Sequence, residues 1–435
     1  MSPFSLEAKR WGFKKEGTRL TAETTATKWL SVDPGSEISH RLELLEDKGL
    51  RGVKAAYPSH SGVKVTDGKV TAPVRTSHFG EFLQMLLGDP TSAEQSVVTV
   101  EAGVNDKIDF TEDGGVEATA TLTAGSYPVG ATSATAGSFC ALIKTALEAV
   151  NGADTYTVAY DTATRKFTIT KSAGVFVILW NTGTNTATCA ATLLGFTTAA
   201  DTASAIAQVS AVAVSNRVHK HTYLLPAGVQ PPTYTFFIDR SLGVKKYNGV
   251  AVKKLSLKGN ADGFVQHDTE LLGLDEAAGD IGSPVFTDEA IPLTFAHVDV
   301  KLGGVSMTNI KEWSLSLDSG LFAKRNPGSQ VAVDVLAPAR MKIEGSLTVY
   351  FEDETERAKF IANTTNYLQF LVQGDTLAGS TKEALDINLY KIAYKAFPYG
   401  DLDGLLGAQA TFEAVFSATD GKMVQVDLTN KVASY

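Results

Sequence analysis

The 435-residue sequence has few cysteines, no long apolar run and no excess of positive charge. Its two cysteines, Cys140 and Cys189, are too few for a disulfide framework, which favours assembly in a reducing cytoplasm. No apolar run approaches the length of a membrane-spanning helix, and the N-terminus has no apolar signal-peptide core. With 39 Lys and Arg against 48 Asp and Glu, the net charge of -9 disfavours a general nucleic-acid binder.

Motifs for catalysis and metal binding are also missing. There is no G-x-x-x-x-G-K-[ST], G-x-S-x-G or C-x-x-C. His219 and His221 share one face of a predicted strand, but a third ligand at useful spacing is not visible, which favours a polar strand face. Residues 401–404 resemble the start of a calcium loop without its later ligands, which favours a turn. Acids at 352–356 favour a helix N-terminus. We predict no enzymatic activity, cofactor or metal.

The sequence is instead rich in Thr, Ala, Val and Gly, and in the apolar–polar alternation typical of strands. Trp313, Leu315 and Leu317 alternate with polar residues, and the alternation returns over 341–351. The intervening segment 319–339 is too long for a tight turn and too apolar for a linking loop. We interpret it as an arm that leaves its domain and lies on another surface.

Matching segments occur in the same order in both halves of the chain. They are a strand with the start of an arm, a helix after a strand, and a Gly-containing turn. The pairs are 42–50 with 313–321, 79–87 with 355–362, and 259–265 with 400–406. Ordered matches are harder to obtain by chance than single ones, so they predict a β framework that is used twice.

The composition changes near residue 91, and residues 101–213 are dominated by Ala, Thr and Gly. A helix pattern over 138–150 and a hairpin pattern over 155–170 predict a small α/β module there. The predicted domains are a first domain, an inserted accessory module and a second domain. Their bounds are 1–100 and 214–285 for the first domain, 101–213 for the module and 286–435 for the second domain.

The basic pair Lys324 and Arg325 lies inside the predicted arm. One interpretation is a solvated loop tip. The other is a contact with an acidic neighbour of the same kind, since the chain is acidic overall and apolar residues adjoin the pair. Both interpretations stay open at this point.

Three features together resemble a known family. Residues 12–18 and 27–30 form a segment rich in Glu, Thr and Gly, and Gly-Ser-Leu-Thr-Val at 345–349 precedes a helix pattern. Residues 105–196 contain Tyr-Asp-x-x-Thr-x-Lys-Phe-Thr-Ile and end in Leu-Leu-Gly-Phe. With the paired strands around a long arm, these features resemble the tail tube proteins, or major tail proteins, of long-tailed bacteriophages. The resemblance implies a mainly β fold with a few helices: two tandem β-sandwich or barrel domains plus the inserted module.

The resemblance also implies a function. Single-domain members of the family form rings of six that stack into a hollow tube, so two domains per chain imply trimeric, pseudo-sixfold rings. The implied partners are further copies of the chain, the tape measure protein and other tail proteins. DNA would pass through the bore without specific binding, helped by an acidic lining, and no membrane would be involved. The implied location is the virion tail, assembled in the host cytoplasm.

The two arms, 49–65 and 319–338, would then reach an adjacent ring. The predicted inter-ring contact residues are Leu50, Tyr57, Leu321, Phe322, Lys324, Arg325, Val331 and Val333. An alternative is a distal tail or baseplate hub ring, which would not polymerise. An alternative of another class is a carbohydrate-binding or adhesive surface protein, which the module alone could support.

Overall fold

The chain is mainly β with a few short helices, which confirms the predicted fold class. The computed structural model describes residues 9–46, 59–94, 97–150, 152, 154–214, 218–225, 228, 230–241, 243–261, 263–286, 290–337, 340–351, 354, 357–358, 366–378 and 381–435. Most of the helix predicted over 355–362 and most of the first arm lie outside the described residues; residues 357 and 358 are described and helical.

The first elements are strands and a helix that build one side of the core. They are β1 (Arg10–Lys15), β2 (Lys28–Leu30), β3 (Glu37–Leu45), β4 (His60–Pro73), α1 (Thr76–Leu87) and β5 (Thr91–Glu94). In α1, apolar residues at helical spacing face the core, and Phe79 and Phe82 pack against the ring of His267 at 5.5 and 5.0 Å. The helix ends at Gly88, whose φ of 90° few other residues adopt and whose N–H donates to the Gln84 carbonyl.

A module with its own apolar core follows. Its elements are β6 (Val97–Val100), β7 (Lys107–Glu112), β8 (Ala118–Thr121), β9 (Gly125–Pro128), α2 (Phe139–Val150), β10 (Tyr156–Asp161), β11 (Lys166–Lys171), β12 (Phe176–Ile178), α3 (Ala191–Leu194) and β13 (Ala207–Val209). The predicted hairpin is present, with Val158 opposite Ile169. Phe139, Phe167 and Trp180 are fully buried in a cluster separate from the main core.

The remaining elements return to the main core. They are β14 (His219–Leu224), β15 (Tyr234–Asp239), β16 (Val244–Asn260), β17 (Gln266–Gly273), β18 (Asp275–Ala278), β19 (Val298–Leu302), β20 (Val305–Ser306), β21 (Ile310–Asp318), β22 (Phe322–Lys324), β23 (Asp334–Leu336), β24 (Lys342–Tyr350), β25 (Asn366–Ala378), β26 (Thr381–Ala396), β27 (Tyr399–Leu402), β28 (Leu405–Ala414) and β29 (Val424–Asn430).

The long strand β16 connects two sheet layers. Its first half pairs with β15 and β18, and its second half pairs with β17 and β21. Alternate residues of each layer are apolar and point inward, so the two layers enclose one core. That core includes Phe236 and Val70 from the first half of the chain, and Leu315 and Phe370 from the second.

Candidate assembly surface

Two sets of strands in this structure pair in the same order. The first strand set is β1–β4 with β15–β18, and the second strand set is β19–β21, β24–β26, β28 and β29. In the first set the pairs are β2–β1, β1–β15, β15–β16, β16–β18, β16–β17, β17–β4 and β4–β3. In the second they are β20–β19, β19–β25, β25–β26, β26–β29, β26–β28, β28–β24 and β24–β21. Each strand of one set therefore has a counterpart in the other.

The strand registers extend this correspondence to single residues. The N–H of Val74 donates to the Val265 carbonyl, and the N–H of Phe351 donates in the same way to the Leu406 carbonyl. The next residues, Gln266 of β17 and Gly407 of β28, therefore hold the same position. Following the pairings through β4 and β24 to β3 and β21 makes Glu37 the counterpart of Ser314. The counterparts follow along the two strands as far as Arg41 and Asp318, where β21 ends, and counting on places Leu44 at the position of Leu321.

The residue match predicted from sequence is therefore shifted. It aligned Leu42 with Trp313, whereas the pairings align Ser36 with Trp313, six residues earlier, and Leu44 with Leu321. The error has a physical reason, because the leucines near the end of β3 repeat the spacing of the buried residues of β21 although they are exposed. Periodicity alone does not say whether an apolar side chain is covered.

An internal joint connects the two strand sets. The second half of β16 pairs antiparallel with β21, from Lys254 opposite Asp318 to Asn260 opposite Glu312. Leu257 and Leu315 face each other in this ladder and are at most 1% exposed. The joint makes one continuous sheet of the order β3, β4, β17, β16, β21, β24 and β28, with β26 and β27 following.

Each end of this continuous sheet has an edge without a second strand partner among the described residues. Among the described strands, β3 pairs with β4 alone, although its counterpart β21 lies between two neighbours. At the other end, the end of β26 and strand β27 (residues 399–402) have β28 as their strand partner within the described part of the chain, whereas the corresponding part of β16 also pairs with β21. The chain thus carries both halves of its own internal joint a second time, one at each end of the sheet.

Two basic side chains cover the edge of β3. Lys9 Nζ donates a hydrogen bond to the carbonyl of Ser36, and Arg240 Nη2 donates to the carbonyl of Ile38 at 3.0 Å. Both also contact the carboxylate of Glu37. Partial burial raises the pKa of that carboxyl, but the two cations outweigh it and the net pKa is lowered. Charged side chains on an edge strand are a common protection against uncontrolled strand pairing.

The second arm folds back over the first strand set of the same chain. Its strands β22 and β23 form a short hairpin, and Leu321 is 3% exposed where it packs with Ala251 and Leu274. Arg325 Nη2 donates to the carbonyl of Lys64 at 3.1 Å. The arm predicted at this position is therefore present, and the surface that it contacts belongs to the other half of the chain.

The structure brings only some of the predicted contact residues to the surface. Leu321 is enclosed within the chain, while Val331 and Arg325 are half-buried. Phe322 and Val333 are 45% and 39% exposed, and Lys324 is exposed. The predicted residues of the first arm, Leu50 and Tyr57, lie outside the described residues.

The face of the continuous sheet that points away from the core is polar and holds both signs of charge. Ser314 and Ser346 hydroxyls lie 2.8 Å apart across the β21–β24 pair. Asp268 forms ion pairs with Lys69 and Lys258, and Lys395 with Glu344 and Glu413. We call this surface the polar face; it consists of Lys69, Lys258, Asp268, Ser314, Lys342, Glu344, Ser346, Lys395 and Glu413.

Two acids of the polar face, Glu344 and Asp268, are held ionised by their neighbours. Hydrogen bonds from Lys342 and Lys395 lower the pKa of the Glu344 carboxyl. Partial burial raises the pKa of Asp268, but the Thr71 hydroxyl and the adjacent lysines outweigh it, so the net pKa is lowered. The face is thus a mixed array of ion pairs rather than a uniformly acidic surface.

The other candidate sites have structural partners. The His221 ring contacts the Ser92 hydroxyl at 2.7 Å and the Val432 carbonyl at 2.8 Å, and burial lowers its pKa. Asp401 accepts a hydrogen bond from its own turn. Burial raises the pKa of the Cys140 thiol to about 12. No cluster of three or more potential metal ligands occurs within the described residues.

Sequence reasoning missed the residues that define the two edges. Lys9 and Arg240 are far apart in the chain, and neither belongs to a motif. Phe416, 62% exposed just after β28, belongs to no motif either. Only the pairing order of β3 and β26 could have pointed to these positions, and pairing order is not readable from local periodicity.

Comparison with known proteins agrees with these observations. A family model described as phage tail tube protein matches residues 10–414, nearly the whole chain. No curated protein matches the sequence significantly. Among the described helices, none has both the length and the apolar character needed to cross a membrane.

Proposed function

Because the chain belongs to the phage tail tube protein family, we propose that it polymerises as stacked rings into the tube through which phage DNA passes. The family makes it a structural component of the phage tail. The internal joint supports a specific proposal for the contact between copies. The two edge strands of the continuous sheet, β3 and β27, correspond to the two sides of that joint.

In the proposed ring, the β26–β27 edge of one copy pairs with β3 of the next. The register of the internal joint, in which Leu257 faces Leu315, transfers to Tyr399 facing Ile38 of the neighbouring copy. Tyr399 is 43% exposed in the single chain, although its counterpart Leu257 is buried. Pairing two different edges in this way is heterologous, so it closes a ring when the rotation permits.

Pro398 beside this edge is compatible with strand pairing. Its carbonyl accepts a hydrogen bond from the Gln409 N–H at 3.1 Å, so the proline faces β28. Neighbouring residues in a strand point their backbone groups to opposite sides, which turns those of Tyr399 outward. The missing N–H of the proline is therefore not needed at the outer edge.

We propose three chains per ring. Each chain contributes two strand sets, so three chains supply the six quasi-equivalent positions of single-domain members. The inserted module, which we place at about 97–214, leaves the framework between β5 and β14. Those strands pair with each other and with β29, away from the proposed ring edges, so we place the module on the outside.

The polar face would line the bore. Its lysines already pair with Asp and Glu of neighbouring strands, so they are poorly placed to neutralise phosphates and release counterions. Such a surface would let DNA pass without tight binding.

Electron microscopy of the purified chain, with mass per ring, tests this proposal. We expect tubes built from rings of three chains. Tyr399→Pro should abolish rings because it removes an outward N–H, whereas Tyr399→Ala, which keeps that N–H, should weaken them less. Rings of six chains would refute the trimer, single rings without tubes would favour a hub ring, and normal tubes from Tyr399→Pro would refute the joint.

A further inference from the structure

Equivalent residues of the two strand sets differ sharply in exposure near the arms. Counted on from Arg41 and Asp318, where the pairing of β21 ends, Leu44 and Leu45 take the positions of Leu321 and Phe322. Leu44 and Leu45 are both 60% exposed, whereas Leu321 is 3% and Phe322 45% exposed. Leu44 is therefore exposed in the position where Leu321 makes a buried contact, and with Leu45 beside it this indicates a missing partner.

The surface that covers Leu321 has a counterpart in the second strand set. Leu321 packs with Ala251 and Leu274, which are 0% and 6% exposed. The strand pairings place Ala393 at the position of Ala251.

Two matching backbone hydrogen bonds identify the counterpart of Leu274. Its N–H donates to the Asn248 carbonyl, and the N–H of Val415 donates to the Lys391 carbonyl, both at 2.9 Å. Val415 therefore holds the position of Leu274.

This second surface is open in the single chain. Ala393 and Val415 are half-buried, and the adjacent Phe416 is 62% exposed. Among the described residues there is thus an apolar pair without a covering surface, Leu44 and Leu45. There is also an apolar surface without a covering arm, formed by Ala393, Val415 and Phe416. One copy cannot bring them together in the way that Leu321 meets Leu274, because they belong to opposite ends of the continuous sheet.

We propose that Leu44 and Leu45 of one copy pack on Ala393, Val415 and Phe416 of the neighbouring copy. This inference rests on the proposed ring, in which β3 of one copy lies beside β26 of the next. It adds a second contact to each joint between copies, beside the pairing of the two strands. We call this apolar contact of Leu44 and Leu45 with Ala393, Val415 and Phe416 the clasp. In this arrangement Leu44 and Leu45 contact the next copy in the ring, whereas Leu321 of the second arm contacts its own chain.

A pair of engineered cysteines tests the contact, and the chain supplies a matched control. In a Cys189→Ala background with Cys140 left buried, Leu44→Cys/Val415→Cys is the test pair and Leu321→Cys/Leu274→Cys is the control. Under mild oxidation, the control should cross-link within one chain at every protein concentration. The test pair should give covalent dimers and trimers when assembled rings are oxidised. It should give none when the protein is dissociated before oxidation.

The outcomes separate this inference from the proposed function. Normal rings without cross-linking of the test pair, while the control pair cross-links, would overturn the clasp and leave the ring standing. Cross-links that appear only in stacked tubes and not in isolated rings would place the arm between rings and also overturn it. A parent chain that never forms rings would overturn both.

Phe416→Ser provides a second measurement that does not depend on cysteine geometry. Because Phe416 is largely exposed in the single chain, its replacement should leave the unfolding midpoint of dissociated protein unchanged. It should raise the protein concentration for half-assembly about tenfold, the equivalent of roughly one buried apolar contact. An unchanged assembly concentration would contradict the clasp.

Discussion

The two arm bases of this protein have the same place in the strand order but different surroundings. Leu321 of the second arm packs on the first strand set of the same chain, whereas Leu44 at the same position of the first arm is exposed. The difference does not lie in side-chain chemistry, since both residues are leucines. It lies in connectivity, because the second strand set has a neighbour in the same chain on that side, whereas β3 of the first set has none among the described strands.

The sheet edges repeat the comparison. Strand β21 is covered on both sides, while the edge of β3 is covered by Lys9 and Arg240. In the proposed ring, these two side chains would have to leave the edge before the neighbouring strand could pair with it.

Replacing each of the two equivalent leucines by alanine should give the largest difference in the free energy of unfolding between the two sites. Leu321→Ala should lower the free energy of unfolding of the single chain by about 2–4 kcal/mol, because it opens a cavity under the second arm. Leu44→Ala should change it by less than about 0.5 kcal/mol, because the side chain is exposed. Denaturant unfolding of dissociated protein checks both values, and equal losses would show that the first arm also packs within its own chain.

The contact between α1 and Tyr435 can be disrupted by a substitution at Gly80. The ring of Tyr435 fills the space beside this helical glycine, and an added Cβ would lie 2.1 Å from Tyr435 Cζ. Gly80→Ala should therefore cost about 1–3 kcal/mol despite the better helix propensity of alanine. The double variant Gly80→Ala/Tyr435→Ala, which restores the space, should show strong coupling in thermal unfolding. Additive effects would mean that the ring does not press on the helix.

The stability of the folded chain should depend on pH through Glu81, the residue after Gly80 in α1. Burial raises the pKa of this carboxyl from 4.5 to about 7, although the Lys28 ammonium opposes the shift. The folded state then binds the proton more tightly than the unfolded state, so stability should fall as pH rises from about 4.5 to about 7. The slope should not exceed about 1.4 kcal/mol per pH unit. Glu81→Gln should flatten this part of the stability profile, and an unchanged slope in that variant would assign the dependence elsewhere.

The smallest expected effect concerns the cover on the β3 edge. Arg240→Ala should leave stability within about 1 kcal/mol, since its ion pair with Glu37 is partly solvated. It should shorten the lag before assembly, measured by light scattering, because the carbonyl of Ile38 is uncovered. Arg41→Ala, which removes an exposed ion pair between β3 and Asp67 of β4, is the matched control. Equal lags for both variants would argue against a protective role of Arg240.

Much of the local structure was predictable from sequence. The helix pattern over 79–87 falls inside α1, and the hairpin of the module lies where the alternation predicted it. These elements are local, so the spacing of apolar residues determines them. The family resemblance was also recognisable, and the family match confirms it.

The candidate surface was predictable only in outline. A second arm lying on another surface was expected, but its contact with Ala251 and Leu274 was not. The alignment of Leu42 with Trp313 failed because exposed and buried leucines can share one spacing. Which neighbour covers a side chain depends on strands that are distant in sequence, such as β16 and β21.

The sequence by itself determined many of the strands, the helix over 79–87 and the hairpin of the module, and it predicted an inserted module and a framework that is used twice. These follow from short-range alternation and from order along the chain, which no partner can change. The tertiary structure decided that β16 pairs with β21, that one arm is covered while the other is exposed, and that two unpaired edges remain. A backbone edge carries no side-chain code of its own, so its partner is fixed only when the rest of the sheet has closed around it.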